Sequence, residues 1–272
     1  MNGNRGQARK PGPKGDMIDP RYMVPGLSRG LNVLALFTRT TPALSLVDIA
    51  RGTKLSRSAA YRLIYTLDKD GFVVRDEETR KYRLTSKTLS LGFEYLHSQA
   101  ITEVAQPYLR SLSGRAAAAA YLAILDGWHA VYLARAVPAV GLVGNLQIGA
   151  RLPAHMTSSG RVMLAFQDDA QLADIFRRLE REGRDVECPA WQNFCTLARA
   201  DRRRGYVFHR SILDPGLVSL ACPIRDHASA TIAAVTVIVP ENASDAFGGE
   251  KALRPLVADI AAEISVRLGY RG

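Results

Sequence analysis

The sequence has little cysteine, few aromatic residues and no long run of apolar residues. Its three cysteines, Cys188, Cys195 and Cys222, are an odd number without the spacing of a disulfide framework or a zinc site, which favours a reducing compartment. No apolar run is long enough to cross a bilayer, and the first twenty residues lack the apolar segment of a secretory signal. We therefore expect a cytoplasmic protein with no membrane partner and no structural disulfides.

The motifs of common enzyme classes are also missing. The sequence contains no G-x-S-x-G elbow, no H-E-x-x-H and no P-loop, and its five histidines are scattered. His155 together with Ser158 or Ser159 leaves open a small-molecule-processing enzyme as an alternative, although structural or exposed histidines are commoner. We expect no catalytic residue, no cofactor and no metal site.

A strong positive charge is present, and it is placed unevenly. The net charge is +10, and residues 1–97 hold 17 Lys and Arg against 9 Asp and Glu, whereas the remaining residues hold 19 against 17. Because phosphate contacts dominate affinity for nucleic acid, this asymmetry favours double-stranded DNA as the partner of the N-terminal part. Residues 1–22 are rich in glycine, proline and basic residues, so we expect a disordered basic tail.

Residues 45–84 carry the pattern of a helix-turn-helix followed by a two-stranded wing. Ser45 and Ser56 are suited to cap two short helices, and Gly52 is expected to supply the left-handed turn between them. Apolar residues of the second helix recur at i, i+3, i+4 and i+7, so its polar side faces outwards. The first half of such a helix reads base edges in helix-turn-helix proteins.

The candidate DNA contacts lie on three elements. A helix predicted from residue 28 to about residue 39 would place the backbone N–H groups of Ser28 and Arg29 where they can meet a phosphate. Cations of the wing can follow a phosphate backbone, although they can equally be ordinary solvated charges. The predicted DNA-binding residues are Ser28, Arg29, Ser45, Ser56, Arg57, Ser58, Tyr61, Arg62, Arg80 and Lys81.

Beyond the wing, the pattern becomes helical and then changes to strands. A helical pattern runs from residue 88 to about 113, where Pro107 either interrupts it or begins a new first turn. Residues 121–125 and 131–134 are predicted strands around the hairpin signal Asp126-Gly127, and 141–155 reads as a loop. Further helices are predicted at 157–166, 171–182, 192–204 and 247–268, and further strands at 205–209, 218–223 and 232–239. This order predicts an antiparallel α+β domain and not a parallel βαβ sheet.

Several stretches resemble the IclR family of bacterial transcriptional regulators. They are LSRGLNVLALF, SRSAAYRLIYTLDKDGFV, YRLTSKTLSLG, GARLPAHMTSSGRVMLA, GYVFHRSILDPGLVSLACPIRD and AAVTVIVP, and the resemblance extends from about residue 23 to the end. LSLGFEYLHS and the PALSL segment are similar to the branch that regulates degradation of aromatic acids such as protocatechuate or 4-hydroxybenzoate (pca/pob-like).

The resemblance implies a domain order and an assembly. It implies a winged helix-turn-helix DNA-binding domain at 23–86, a linker helix at 87–100 and a GAF-like antiparallel-sheet effector domain at 101–272. It also implies a homodimer or a dimer of dimers, and a helix as apolar as the one predicted after the wing often packs against its own copy. The chain is thus expected to be a sequence-specific DNA-binding transcriptional regulator.

The resemblance further implies a small-molecule effector, a carboxylate such as an aromatic acid, held in a cup on the sheet. A helix start with hydroxyls and free N–H groups suits a carboxylate, and apolar walls suit a ring. The corresponding residues are Leu152, Ser158, Ser159, His209, Leu217, Ser219 and Thr236.

Two positions depart from the family pattern. Many members carry an acidic residue where this sequence has Ile212, and an acidic or neutral residue is usual where it has His209. An effector-independent DNA-binding protein is the remaining alternative, and the large, nearly uncharged second domain argues against it.

Overall fold

A computed structural model describes residues 20–38, 40–90, 100–138, 146–183, 186 and 188–271 of the 272-residue chain. These residues divide into two compact units, and the division falls between Glu94 and Tyr95 in the sequence. No helix in these ranges is both long enough and apolar enough to cross a membrane.

The N-terminal unit folds as a winged helix-turn-helix, as predicted. Its helices are α1 (Pro25–Ala35), α2 (Leu46–Thr53) and α3 (Arg57–Lys69). Its antiparallel sheet contains β1 (Ala43–Leu44), β2 (Val73–Arg75) and β3 (Tyr82–Leu84) in the order β1-β3-β2. The core is closed by apolar side chains from every helix and from the wing, namely Val33, Ile49, Ala50, Ala60, Ile64, Val73 and Tyr82.

The first helix differs from its prediction at both ends. It begins at Pro25, where the missing N–H is not needed, and it ends at Ala35. Ser28 therefore lies a full turn inside the helix, and its N–H donates to the carbonyl of Val24 at 3.2 Å. The expectation that the Ser28 amide is free for a phosphate is wrong, whereas the Arg29 side chain is exposed.

The turn between α2 and α3 also differs from its prediction. Gly52 lies inside α2, and the residue with left-handed backbone is Lys54, with φ 55°. A Cβ at Gly52 would lie 2.8 Å from Cδ2 of Leu36, which is the far end of a flexible side chain and can move aside. The prediction that Gly52 supplies the left-handed turn is therefore wrong, because Lys54 supplies it.

The C-terminal unit is built on a six-stranded antiparallel sheet with the order β6-β5-β4-β9-β8-β7. Its strands are β4 (Ala119–Asp126), β5 (His129–Ala136), β6 (Arg151–Pro153), β7 (Val207–Arg210), β8 (Leu217–Arg225) and β9 (Thr231–Pro240). The α+β architecture is therefore confirmed. The prediction that 141–155 is entirely loop is wrong, because β6 pairs with β5.

Helices cover both faces of this sheet. They are α4 (Ala100–Ala116), α5 (Ser158–Ala165), α6 (Asp169–Glu182), α7 (Trp191–Arg204), α8 (Glu241–Phe247) and α9 (Gly249–Arg267). Alternate residues of each strand point to opposite faces. Ala120 and Leu122 therefore pack with α4 and α9, whereas Tyr121 and Ala123 pack with α5.

Two expectations concern the segment before the sheet. Helix α4 continues through Pro107 without interruption, so neither predicted role of this proline holds. Residues 86–90 are helical, whereas most of the linker helix predicted at 87–100 lies outside the described residues.

Candidate nucleic-acid interface and ligand cavity

The outer face of α3 is fixed by its cap and by its inner face. The Ser56 hydroxyl caps the helix by accepting a hydrogen bond from the Ala59 amide at 3.3 Å. Ala60 and Ile64 are fully buried against the rest of the unit, which sets the rotation of the helix. The opposite face consequently exposes Arg57, Ser58, Tyr61, Arg62 and Tyr65.

These exposed groups are of the chemical types that can contact base edges and phosphates in a DNA groove. The Tyr61 side chain is 49% exposed, and its ring centroid lies 6.2 Å from that of Tyr65. Among the described residues, Arg57 and Arg62 have no carboxylate within ion-pair distance. Their guanidinium groups are therefore available for bidentate hydrogen bonds to guanine or to phosphate.

The wing turn presents cations of unequal availability. The Asp76 carboxylate accepts hydrogen bonds from the Thr79 amide and hydroxyl, both at 2.8 Å, and these bonds lower the pKa of Asp76. Arg80 forms an exposed ion pair with Glu77 at 3.4 Å. Lys81 is exposed and makes no ion pair within the described ranges, so it is the freer of the two predicted wing contacts.

Ser45 belongs to a capping box at the start of α2. Its hydroxyl lies 2.6 Å from Oδ2 of Asp48 and accepts from the Asp48 amide at 3.3 Å, while its own amide donates to the same carboxylate at 3.1 Å. These bonds lower the pKa of Asp48, the hydroxyl bond most strongly. The Ser45 side chain is thus committed to the helix start, unlike the exposed Ser58.

An open cavity of about 540 Å³ lies in the C-terminal unit, between the sheet and the start of α5. Its apolar wall includes Leu146, Leu152, Met156, Leu217 and Ile238. Its polar groups include Tyr132, Thr157, Ser158, His209, Asp214 and Ser219.

The start of α5 gives the cavity its electropositive end. The Thr157 hydroxyl caps the helix by accepting from the Gly160 amide at 3.0 Å, and Ser158 lines the cavity. The first amides of a helix have no acceptor inside it and carry the positive end of its dipole. Gly160 permits this position, because a Cβ there would lie 2.3 Å from the Cα of Ala154.

A hydrogen-bonded layer lies behind the cavity wall. The Tyr132 hydroxyl donates to the Ser159 hydroxyl at 3.3 Å, and Ser159 is 2.6 Å from the Thr236 hydroxyl. Burial raises the pKa of Tyr132, so the phenol stays protonated at neutral pH. Ser159 and Thr236 are fully buried and hold Tyr132 in place without lining the cavity themselves.

His209 stands beside a buried ion pair. Burial, and then the nearby Arg161, lower the pKa of His209, so the imidazole is neutral at pH 7. Arg161 is itself paired, since its Nε and Nη2 donate to the Asp201 carboxylate at 2.9 and 2.8 Å. This pair joins α5 to α7. Of the three side chains His209, Arg161 and Asp201, His209 is the one that lines the cavity.

The structure gathers most of the predicted effector residues into one place. Leu152, Ser158, His209, Leu217 and Ser219 line the cavity, whereas Ser159 and Thr236 lie behind it. Sequence reasoning missed Tyr132 and Asp214. Tyr132 belongs to an apolar strand whose pattern gives no sign that the phenol reaches α5. Ile212 is 64% exposed, and Asp214, two residues later, supplies an acidic group to the lining.

The residues of the enzyme alternative are not brought together in one cavity. Ser158 lines the cavity described above, whereas His155 lines a smaller space with Arg161 and Leu164. Arg151, close to His155 in the sequence, is paired with Asp126 at 2.6 Å. In the described part of the chain, no three His, Cys, Asp or Glu side chains are grouped to hold a metal ion.

Comparisons with known proteins identify relatives over nearly the whole chain. Residues 26–77 match the model of the IclR helix-turn-helix domain, and residues 93–266 match that of the bacterial transcriptional regulator IclR C-terminal domain. The Pca regulon regulatory protein of Pseudomonas putida is 34% identical over 223 residues, which cover 80% of this chain and 75% of that protein.

Solved structures agree with these matches. A transcriptional regulator from Rhodococcus sp. RHA1 superimposes with a TM-score of 0.73 at 34% identity, covering 90% of this chain and 98% of that one. An IclR homologue from Microbacterium hydrocarbonoxydans, crystallised with 4-hydroxybenzoate, superimposes with a TM-score of 0.73 over 89% of this chain and 98% of that one. Its identity is 22%, so this likeness concerns the fold alone.

Proposed function

The chain belongs to the IclR family of bacterial DNA-binding transcriptional regulators, and we propose that a small aromatic carboxylate in the cavity at the start of α5 controls its binding to operator DNA. The observation that carries this proposal is the composition of the cavity. The lining combines the start of a helix and its hydroxyls with an apolar wall that includes Leu152 and Ile238. Both parts of an aromatic acid therefore find a complementary surface.

The proposed orientation follows from the charges around the cavity. The carboxylate lies at the start of α5, next to Ser158 and the first amides of the helix, where a negative charge is favoured. The ring packs on Leu152 and Ile238. A ring hydroxyl is placed towards the neutral His209, which can donate or accept a hydrogen bond.

Two relatives support an aromatic ligand. The Pseudomonas putida relative regulates a Pca regulon, and the Microbacterium homologue holds 4-hydroxybenzoate in the same fold. We use 4-hydroxybenzoate as the first probe for this reason.

On the DNA side, α3 is proposed to lie in the major groove. Arg57, Ser58, Tyr61 and Arg62 are placed against base edges, with Ser56 at the same end of the helix. Arg29, Arg80 and Lys81 are placed against phosphates, where exposed cations add affinity without sequence preference. Ser28 and Ser45 contribute less directly, because hydrogen bonds inside the unit already use the Ser28 amide and the Ser45 hydroxyl.

We propose that the chain acts as a homodimer or a dimer of dimers. One recognition helix contacts only a few base pairs, whereas two helices separated by a turn of DNA read enough sequence to define an operator.

Fluorescence anisotropy with promoter DNA from upstream of the chain's own gene tests the DNA side. The double variant Arg57→Ala with Arg62→Ala is expected to lose about 1–3 kcal/mol of binding free energy for each base contact removed. Arg177→Ala, on the exposed face of α6, removes an arginine of similar exposure and should change nothing. Unchanged affinity and unchanged sequence preference in the double variant would contradict the placement of α3.

The same assay with 4-hydroxybenzoate tests the cavity. The ligand is expected to change DNA affinity for the native chain, in either direction. Ser158→Trp fills the polar end of the cavity and should abolish this response while DNA binding itself persists. A variant that still responds would place the effector elsewhere.

A further inference from the structure

The C-terminal unit has a second open cavity, of about 640 Å³, at the opposite end of α5. The first cavity lies at the start of this helix, and the second begins at Phe166, just past its end. We propose that the second cavity binds a small organic carboxylate through Arg225, in addition to the effector at the first cavity.

Arg225 is held with one part of its guanidinium group available. It is the last residue of β8 and is half-buried, and its Cζ lies 4.9 Å from the ring centroid of Phe166 and 5.6 Å from that of Tyr270. Nη1 donates to the Tyr270 hydroxyl at 3.2 Å. Two aromatic rings therefore cover the guanidinium group and fix its orientation, and the N–H edge remains for a ligand.

Among the described residues, Arg225 has no carboxylate within ion-pair distance. The adjacent Asp226 is directed into its own turn, where its Oδ1 accepts from the amides of Ala228 and Ala230 at 2.9 and 3.0 Å. A half-buried arginine without an anion is unusual, because burial of a charge is costly unless the charge is paired. Arg225 therefore has the character of a ligand-binding group.

The remaining lining adds donors and no competing acid. Thr231 contributes to the wall of this cavity, but its hydroxyl is buried and does not serve as a donor to a ligand. The Tyr270 hydroxyl accepts from Arg225, so its own hydrogen remains free to donate. Gln171 accepts from the Asp168 amide through its Oε1, which leaves its NH₂ group available.

This set of groups matches a carboxylate. The N–H edge of a guanidinium group binds the two oxygens of a planar carboxylate with parallel hydrogen bonds. The Tyr270 hydroxyl can donate one more bond to the same group. No lining residue of the cavity is Asp or Glu, so an anion meets no like charge there.

The position also links the two cavities through α5. Arg202 of α7 donates to the carbonyls of Ala165 and Gln167 at the end of this helix. A carboxylate beside Phe166 and Arg225 would therefore lie at the end of the helix whose first residues line the effector cavity.

Isothermal titration of the full chain with benzoate tests the inference. The native chain is expected to bind two benzoates, and Arg225→Gln should bind one. Arg225→Lys keeps the charge but lacks the two parallel donors, so it should weaken this second event about tenfold or more. Arg254→Gln is the matched control, since Arg254 also lies over an aromatic ring, that of Tyr206 at 5.0 Å, and it should leave both events unchanged.

Ser158→Trp separates this inference from the proposed effector site. It should remove the first event and leave the one that Arg225→Gln removes. Tyr270→Phe, which leaves Arg225 in place, should also weaken the second event because it removes the other donor of the cavity, and circular dichroism checks that each variant is folded. If Arg225→Gln and Tyr270→Phe both bind benzoate as the native chain does, the inference is overturned, whatever Ser158→Trp shows. If Ser158→Trp alone binds benzoate as the native chain does, the proposed effector site is wrong, whereas the inference about the second cavity is supported.

Discussion

The two units carry their functional groups in opposite ways. In the N-terminal unit, the candidate DNA contacts of α3 lie within a few consecutive residues on one exposed helix face, and the other face forms the core. In the C-terminal unit, the cavity draws its lining from positions between Tyr132 and Ile238, on strands and helices that are distant in sequence. The first site is a surface of one element, and the second exists only once the sheet has formed.

The polar groups of the two units are paired differently as a result. Arg57 and Arg62 are exposed and, in the described part of the chain, have no acidic partner. Around the cavity, Ser159 bonds with Thr236, and Arg161 with Asp201. Substitutions on α3 should therefore alter DNA binding with little loss of stability, whereas substitutions around the cavity should alter ligand binding and stability together.

The largest expected effect is that of Gly160→Ala. Its new Cβ would lie 2.3 Å from both the Cα and the carbonyl oxygen of Ala154, so α5 must move away from the sheet. We expect a loss of about 4 kcal/mol or more in the free energy of unfolding, together with loss of the ligand response. Urea unfolding of the full chain measures the first, and anisotropy with 4-hydroxybenzoate the second.

Gly114→Ala is the control for that substitution. Gly114 lies in α4 with nothing within 4 Å of its added Cβ. Alanine favours a helix by up to about 1 kcal/mol over glycine, so this variant should be as stable as the native chain or more stable. Equal behaviour of the two alanine variants would contradict the close approach of α5 to Ala154.

Asp201→Asn should have the next largest effect. The side chains of Arg161 and Asp201 are 14% and 3% exposed, so removal of the carboxylate leaves a buried charge without its partner. The expected loss is about 3 kcal/mol, measured by urea unfolding. Asp174→Asn breaks the Arg178–Asp174 pair, whose side chains are 50% and 49% exposed, and it should cost at most about 0.5 kcal/mol. A similar loss of unfolding free energy in both variants would mean that burial does not determine how much each ion pair contributes to stability.

The sequence predicts the exposed face of α3 better than it predicts the lining of the cavity, for a physical reason. The period of Ala60 and Ile64 fixes which side of α3 faces outwards, and the Asp126-Gly127 turn fixes the β4–β5 hairpin, because both signals are local. Tyr132 and Asp214 come together only through sheet pairing, which has no local signal. Gly52 shows a further limit, since a glycine there predicts the left-handed turn, whereas Lys54 adopts that conformation.

The smallest effects separate the structural serine of the N-terminal unit from the exposed one. Ser45→Ala removes the capping box of α2 and should destabilise the unit by about 1 kcal/mol. Ser58→Ala removes an exposed hydroxyl on α3 and should leave stability unchanged while weakening operator binding. Hydrogen exchange of the α2 amides in the full chain measures the first effect, and anisotropy the second.

The pH dependence of Ser45→Ala provides an independent check. Hydrogen bonds from Ser45 lower the pKa of Asp48 in the folded chain, so their contribution is present above the unfolded pKa of about 4 and is lost as the pH falls through the folded value. Ser45→Ala should flatten this acid-side loss in thermal scans from about pH 5 down to about pH 2, and Ser58→Ala should retain it. If Ser45→Ala and Ser58→Ala lost stability equally, residues on the DNA-facing surface would contribute to the stability of their unit as much as residues around the cavity do in the other unit. The contrast between the two units would then be wrong.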